Sequence, residues 1–168
     1  MANLDRMSSK SPSNTGMTRR PAALDDTDRA IIRELRSDGR MSMRALAETL
    51  HISRASAYTR VERLQSEGVI TGYAATIDPE RAGFGISAYV YLKISQHSWK
   101  AVRARILRIP EVWHGALASG ENDLVLLVRT QDAASLRDLV LNTFQTMPDV
   151  LSTQTVLVLD ELSGLGLA

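Results

Sequence analysis

Residues 42–70 read SMRALAETLHISRASAYTRVERLQSEGVI, two short amphipathic helical patterns meeting at a tight polar turn. Ser42 is a suitable N-cap for the first helix, which would bury Leu46, Ala47 and Leu50. His51-Ile52 forms the turn, with Ile52 directed inward between the helices. Ser53 caps the second helix, and Gly68 stops it in a left-handed conformation. Between those two, Ala57, Val61 and Leu64 fall at i, i+4 and i+7, a single buried stripe. Arg54, Ala55, Tyr58, Thr59 and Arg63 are left facing outward. This is the sequence form of a helix-turn-helix, whose second helix enters the DNA major groove.

Charge alone leaves a second reading open, since three-helix cores with solvated polar faces are common. From Leu24 to Gly72 eight arginines balance eight acids. The charges are nevertheless segregated. Ser53 to Leu64 holds three arginines against Glu62 alone, while Asp25, Asp26 and Asp28 cluster at the start of an earlier helix, where they suit its N-terminal dipole. Positive charge thus lies where phosphates would be met. Arg54, Ala55, Ser56 and Thr59 are placed early on the helix to reach base edges. Tyr58, Arg60 and Arg63 are assigned to phosphates, with bracing of the helix packing as a second role for Arg60. With the capping Ser42 and Ser53 they complete the expected DNA-contacting set.

Composition bounds the rest. The 168 residues are 44% hydrophobic and 23% charged, enough for one large or two small domains. A net charge of +1 excludes a polycation that coats DNA by charge alone, so specific binding points to paired modules and a dimer. With no cysteine, disulfides, thiolate metal sites and cysteine nucleophiles are excluded. No apolar run reaches the ~18 residues of a membrane span and no signal peptide is apparent, so the cytoplasm is expected. Residues 1–22 read as a disordered tail. Order begins at Leu24-Asp25, with Asp25 capping a helix that buries Ile31, Ile32 and Leu35 and ends at Gly39.

After Gly68 the pattern changes. Residues 73–85 read as a linking strand and a turn at Asp78-Pro79. Ile86 to Ser95 alternates strictly, and its second face, carrying Tyr89 and Tyr91, is more apolar than a solvated face needs. Those two tyrosines and Tyr73 are expected at a subunit contact. A helix from Ser98, strands at Val112–Ala118 and Leu124–Thr130, a helix capped by Asp132 and a last strand from Val150 to about Leu159 follow. The order β-α-β-β-α-β is the ferredoxin-like plan, expected over 86–160 with 161–168 as a C-terminal tail.

The chain resembles the Lrp/AsnC, or feast/famine, family of transcription regulators. The resemblance rests on Leu24-Asp25 with Asp28, Ile32 and Leu35, Gly39-Arg40-Met41-Ser42, Leu46-Ala47, Ser53, Arg60-Val61 with Leu64, Gly68-Val69-Ile70, Gly72-Tyr73, and Gly120 with Asp123. His51 stands where the family often has glycine, and Leu124 where it often has an aromatic residue. The resemblance implies an α+β chain: an N-terminal winged helix-turn-helix over residues 23–72, then a ferredoxin-like βαββαβ effector-binding and oligomerisation domain called RAM. It implies double-stranded DNA, an amino acid or related metabolite, and further copies of the chain as partners, assembled as dimers that grow to tetramers or octamers. Ser119, Gly120, Glu121, Asn122 and Asp123 match the effector-contacting loop, with Thr153 and Thr155 near the same pocket. There Gly120 would let backbone amides approach a carboxylate and Asp123 would meet an ammonium group. The bland reading of that loop is a hairpin turn in which Asp123 bonds its own backbone.

Two other functions share this architecture. One is an architectural DNA-binding protein that needs no effector. The other is an enzyme like the sirohaem decarboxylases, which require active-site histidines. Here His51, His97 and His114 show no metal or acid–base spacing, and Tyr73-Ala74-Ala75-Thr76-Ile77 follows the regulator pattern. No catalytic residue, metal or cofactor is expected.

Overall fold

A computed structural model describes residues 23–95 and 97–161. The tail reading of residues 1–22 and of 162–168 lies outside the described residues. The chain divides into two compact units, Met1–Ala74 and Ala75–Ala168.

The first unit is three helices: α1 (Asp26–Ser37), α2 (Met43–Thr49) and α3 (Arg54–Ser66). Asp25 and Asp28 form a reciprocal capping box at the start of α1. The Asp28 N–H donates to Asp25 Oδ1 at 2.8 Å, and the Asp25 N–H donates to Asp28 Oδ2 at 3.1 Å. Ser42 and Ser53 cap α2 and α3 as expected, accepting from the N–H groups of Ala45 and Ser56. Ile31, Leu35, Leu46, Val61 and Leu64 form the core, each side chain contributing about 1.5–3 kcal/mol by burial. Ile32 and Leu50 are only half-buried at its margin. No strand is paired among the described residues of this unit; after α3 the chain returns through Val69 and Ile70, whose N–H groups both donate to the Leu64 carbonyl.

Two turn residues behave differently from each other. Gly68 adopts φ 70°, the left-handed stop expected of it. Gly39, expected to end α1, has no positive φ; Asp38 is the cap residue. Gly39 lies beside the Tyr73 ring, where a Cβ would stand 3.4 Å away, at the edge of ordinary contact.

The second unit contains β1 (Ile86–Ile94), α4 (Trp99–Ile106), β2 (Val112–Leu117), β3 (Leu124–Thr130), α5 (Ala133–Asp138) and β4 (Val150–Leu157). The strands form one antiparallel sheet in the order β2-β3-β1-β4, the ferredoxin-like arrangement. Ala88, Val90, Leu92 and Ile94 of β1 point to the helical side, joined there by Leu124, Leu126 and Val128 of β3 and by Val102, Ile106, Leu136 and Phe144. Three strand boundaries differ from the sequence reading, the first being β1, which ends at Ile94, short of Ser95. Strands β2 and β4 end at Leu117 and Leu157, short of Ala118 and Leu159. The helix after Asp132 changes at Leu139–Phe144 to a π-helical turn, with the Gln145 N–H donating to the Val140 carbonyl. The expected linking strand is unpaired: among the described residues no backbone N–H from Thr71 to Ile77 donates to another backbone group.

His51 holds φ 52° in the turn between α2 and α3, where a side chain raises the energy of the left-handed region by roughly 1–2 kcal/mol. His51→Val, β-branched in that conformation, is expected to lower unfolding stability by about 1–2 kcal/mol in urea titration, while His51→Gly stays within about 0.5 kcal/mol of the parent. Equal stability of the two variants would show that the turn tolerates any backbone geometry.

Candidate DNA and effector sites

The N-terminal turn of α3 presents Arg54, Ala55, Tyr58 and Thr59 to solvent, with Ser56 half-buried. Tyr58 is 57% exposed, unusual for a ring that size. Arg54 makes no ion pair with any described residue. The hydroxyls of Ser42 and Ser53 are occupied as caps, so these residues set helix ends first.

Arg60 and Arg63 point elsewhere. Arg60 Nη1 lies 2.7 Å from Asp25 Oδ2 and 2.8 Å from Asp28 Oδ1, and Arg63 Nη2 lies 2.6 Å from Asp28 Oδ2. Arg63 also reaches Glu67 at 3.3 Å. Asp28 is 1% exposed. Both arginines therefore fasten α3 to α1 through Asp25 and Asp28. The bracing alternative for Arg60 matches its geometry. Sequence reading assigned Asp28 to the helix dipole alone. Its Asp25–Asp28 spacing signals a capping box, but nothing local to α1 signals partners more than thirty residues away.

The carboxyl of Asp28 is held at about 2, below its ordinary 3.8. Burial opposes this strongly, but bonds from Arg63 and Arg60 and from the Asp25 N–H outweigh it. Asp25 is lowered too, chiefly by the Asp28 N–H and then by Arg60.

In the second unit the 119–123 loop joins β2 to β3 and is closed by the Ala118 N–H donating to the Asp123 carbonyl at 2.9 Å. Ser119, Gly120 and Glu121 are exposed, and Asn122 and Asp123 half-buried. Gly120 has φ 135°, a backbone state open to glycine, and the space where its Cβ would stand is empty. Asp123 does not bond its own turn as in the bland reading. The last β1–β3 pair is Leu92 with Leu124; beyond it Asp123 Oδ2 accepts the Ile94 N–H at 2.9 Å and Oδ1 lies 3.4 Å from Lys93 Nζ. The Ile94 bond, then the Lys93 ammonium, hold the Asp123 carboxyl below its ordinary range.

Thr153 and Thr155 pair with Leu92 and Val90 on β4, one strand beyond β1, so the central strand separates them from the loop by two strand spacings, about 10 Å. Thr153 Oγ1 accepts from Gln145 Nε2 at 2.9 Å, and Thr155 is exposed. The structure thus gathers 119–123 into one loop but does not bring the threonines into contact with it.

Of the three expected contact tyrosines, Tyr89 and Tyr91 face the open side of the sheet beside Leu127, Val125, Val156 and Gln154. Tyr73 stands apart from them, packed near Gly39 and Gln65 in the first unit, yet 49% exposed. Among the described residues no helix is long and apolar enough to cross a membrane.

Comparison with known proteins matches this geometry. Residues 24–71 match the winged helix-turn-helix DNA-binding family, and residues 87–164 the Lrp/AsnC ligand binding domain. The chain is 38% identical over 137 residues to the HTH-type transcriptional regulator LrpA of Mycobacterium tuberculosis, covering 81% of this chain and 91% of that one. The chain belongs to the Lrp/AsnC family. It is likewise 35% identical over 144 residues to the regulator AldR of Mycolicibacterium smegmatis, covering 84% of each. Among solved structures, the NMB0573/L-Met complex from Neisseria meningitidis superposes with a TM-score of 0.79 at 27% identity, covering 84% of this chain and 93% of that one. Membership makes the protein a transcriptional regulator with a DNA-binding head and a ligand-binding domain, in place of the enzyme weighed as an alternative.

The Asp28 carboxyl titrates lower in the folded than in the unfolded chain, so its stabilisation is whole above about pH 4 and is lost as pH falls through about 2. It should amount to about 2 kcal/mol at neutral pH. Asp28→Asn is expected to lower stability at pH 7 by at least that much in urea titration, with the gap to the parent closing as the pH approaches 2. A gap independent of pH would assign the loss to packing alone.

Proposed function

We propose that this regulator reads DNA through the first turn of α3 and adjusts its DNA binding or assembly when an amino acid or related metabolite occupies the 119–123 loop. The observation that carries the DNA half is the division of labour on α3. Arg60 and Arg63 are held by Asp25 and Asp28, while Arg54 stands exposed and unpaired among the described residues beside Ala55, Ser56, Tyr58 and Thr59. Arg54 then takes a guanine edge, and Tyr58, with the capped helix ends at Ser42 and Ser53, meets phosphates.

The effector half rests on the exposed Gly120 backbone and on the half-buried Asp123. A carboxylate acceptor keeps further lone-pair sites after bonding Ile94 and Lys93, which leaves room for a ligand ammonium. The solved relative with bound L-Met supports a ligand of this class. Because Asp123 also ends the β1–β3 ladder, a ligand there is coupled to the sheet itself.

Assembly follows the open sheet face. Tyr89, at 40% exposed, and Val156, at 43%, lie side by side there, a pattern that suits a second copy. The unpaired segment Thr71–Ile77, with Ile77 55% exposed, offers a strand to the same segment of that copy. Dimers built so assemble further into tetramers or octamers, and the protein works in the cytoplasm on the nucleoid.

In a binding selection on random duplexes, Arg54→Ala should lose about 1–3 kcal/mol of discrimination at one guanine position. Site preference unchanged in Arg54→Ala would remove this assignment. For the effector, the melting temperature against twenty amino acids at millimolar concentration should show one chemical group of responders. The stabilisation reaches ~2.7 kcal/mol at a hundred times the dissociation constant. Silence across the panel would favour effector-free DNA binding.

A further inference from the structure

We propose that Arg129 marks a second small-molecule site, built for a compound that carries both a carboxylate and an ammonium group. Arg129 lies on β3, on the open side of the sheet opposite Ser87, and is only 7% exposed. Its Nη1 donates to Ser87 Oγ at 3.0 Å and its Nη2 to Glu161 Oε2 at 2.8 Å. Its guanidinium carbon stands 4.8 Å from the centre of the Trp113 ring, which Phe84 meets edge-on at 5.2 Å. Among the described residues Arg129 Nε is shielded and has no partner.

That orphan donor has a specific geometry. Nε and Nη2 form one side of the guanidinium, the fork that takes both oxygens of a carboxylate. Glu161 fills the Nη2 prong alone, and a buried donor left without an acceptor is costly. The fork is half-filled, by a side chain that is itself 40% exposed and held at one point.

Arg129 also lines a cavity of about 530 Å³, with Thr76, Phe84, Gly85 and Ser87 among its walls. That volume falls in the range of small-ligand pockets. Gly85 belongs there for a steric reason: a Cβ would stand 2.8 Å from the Gln131 carbonyl oxygen. The lining acids Asp78, Glu80, Asp160 and Glu161 supply the opposite charge. A ligand carboxylate that takes both prongs displaces Glu161 toward solvent and leaves Asp160 and Glu80 to meet the ligand's ammonium group. The charge pattern selects a zwitterion over a simple acid or a simple amine.

This site is separate from the 119–123 loop and does not depend on it. Arg129 is anchored at Ser87 near the start of β1, whereas Asp123 holds Ile94 at its end. Seven residues of extended strand, about 23 Å, lie between them.

Trp113 supplies the readout. The chain has two tryptophans, so Trp99→Phe in the full-length protein leaves Trp113 as the sole emitter. The probes are the twenty L-amino acids and, for each responder, the amine lacking its carboxylate and the acid lacking its ammonium. At least one amino acid should change Trp113 emission saturably, with neither half-analogue matching it. Glu161→Ala, which removes the internal competitor at an exposed position, should tighten binding at least threefold. Arg129→Gln should weaken it more than tenfold, and Asp123→Asn should leave it unchanged. No saturable response in the parent and in Glu161→Ala would overturn the proposal. So would a response that Asp123→Asn abolishes and Glu161→Ala does not alter. Failure of the loop reading appears separately, as an amino-acid effect on DNA binding that Asp123→Asn leaves intact.

Discussion

The buried carboxylate of Asp28 fixes what the DNA-binding head can present. It caps α1, accepts from Arg60 and Arg63, and so joins the first helix to the third through charge as well as through the Ile31–Val61–Leu64 core. Removing one partner of such a cluster leaves charge in a poorly solvated place, so the three groups stand or fall together. The consequence for recognition is subtractive. Two of the three arginines on α3 are engaged by acids at the start of α1, and the one without an ion pair among the described residues is Arg54, near the exposed Tyr58.

In the second unit the equivalent organiser is β1. It is hydrogen-bonded on both sides, its inner residues form the core, and its outer residues make the open tyrosine face. Its two ends carry the two charged anchors, Asp123 at Ile94 and Arg129 at Ser87. Both are side-chain contacts that reach β1 from β3 or its preceding loop.

Much of this was readable in the residues. Helix starts at Asp25, Ser42 and Ser53, the Gly68 stop, the alternation of Ile86–Ser95 and the βαββαβ order all depend on neighbours within a few positions, where cap chemistry and periodicity operate. The 119–123 loop was recognisable through Gly120 and Asp123, because a glycine required by backbone angle and an acid at a strand start leave a local trace. The π-helical turn at Leu139–Phe144 left none, since its residues also satisfy an ordinary helical period.

Sequence by itself therefore determined the elements, their order, the apolar faces and the family, since all of these are written in short-range spacing. Tertiary structure alone decided which charged side chains are free. Arg54, Arg60 and Arg63 look alike along α3, and only the approach of α1 commits the latter two to Asp28. Gly39 reads as a left-handed helix stop, yet it has no positive φ and lies beside the Tyr73 ring. Arg129 reads as one strand residue among others, and burial against Trp113 with half its fork unfilled gives it a distinct chemistry. Such assignments depend on partners distant in the sequence, and a polar side chain's role is set by the partner it meets.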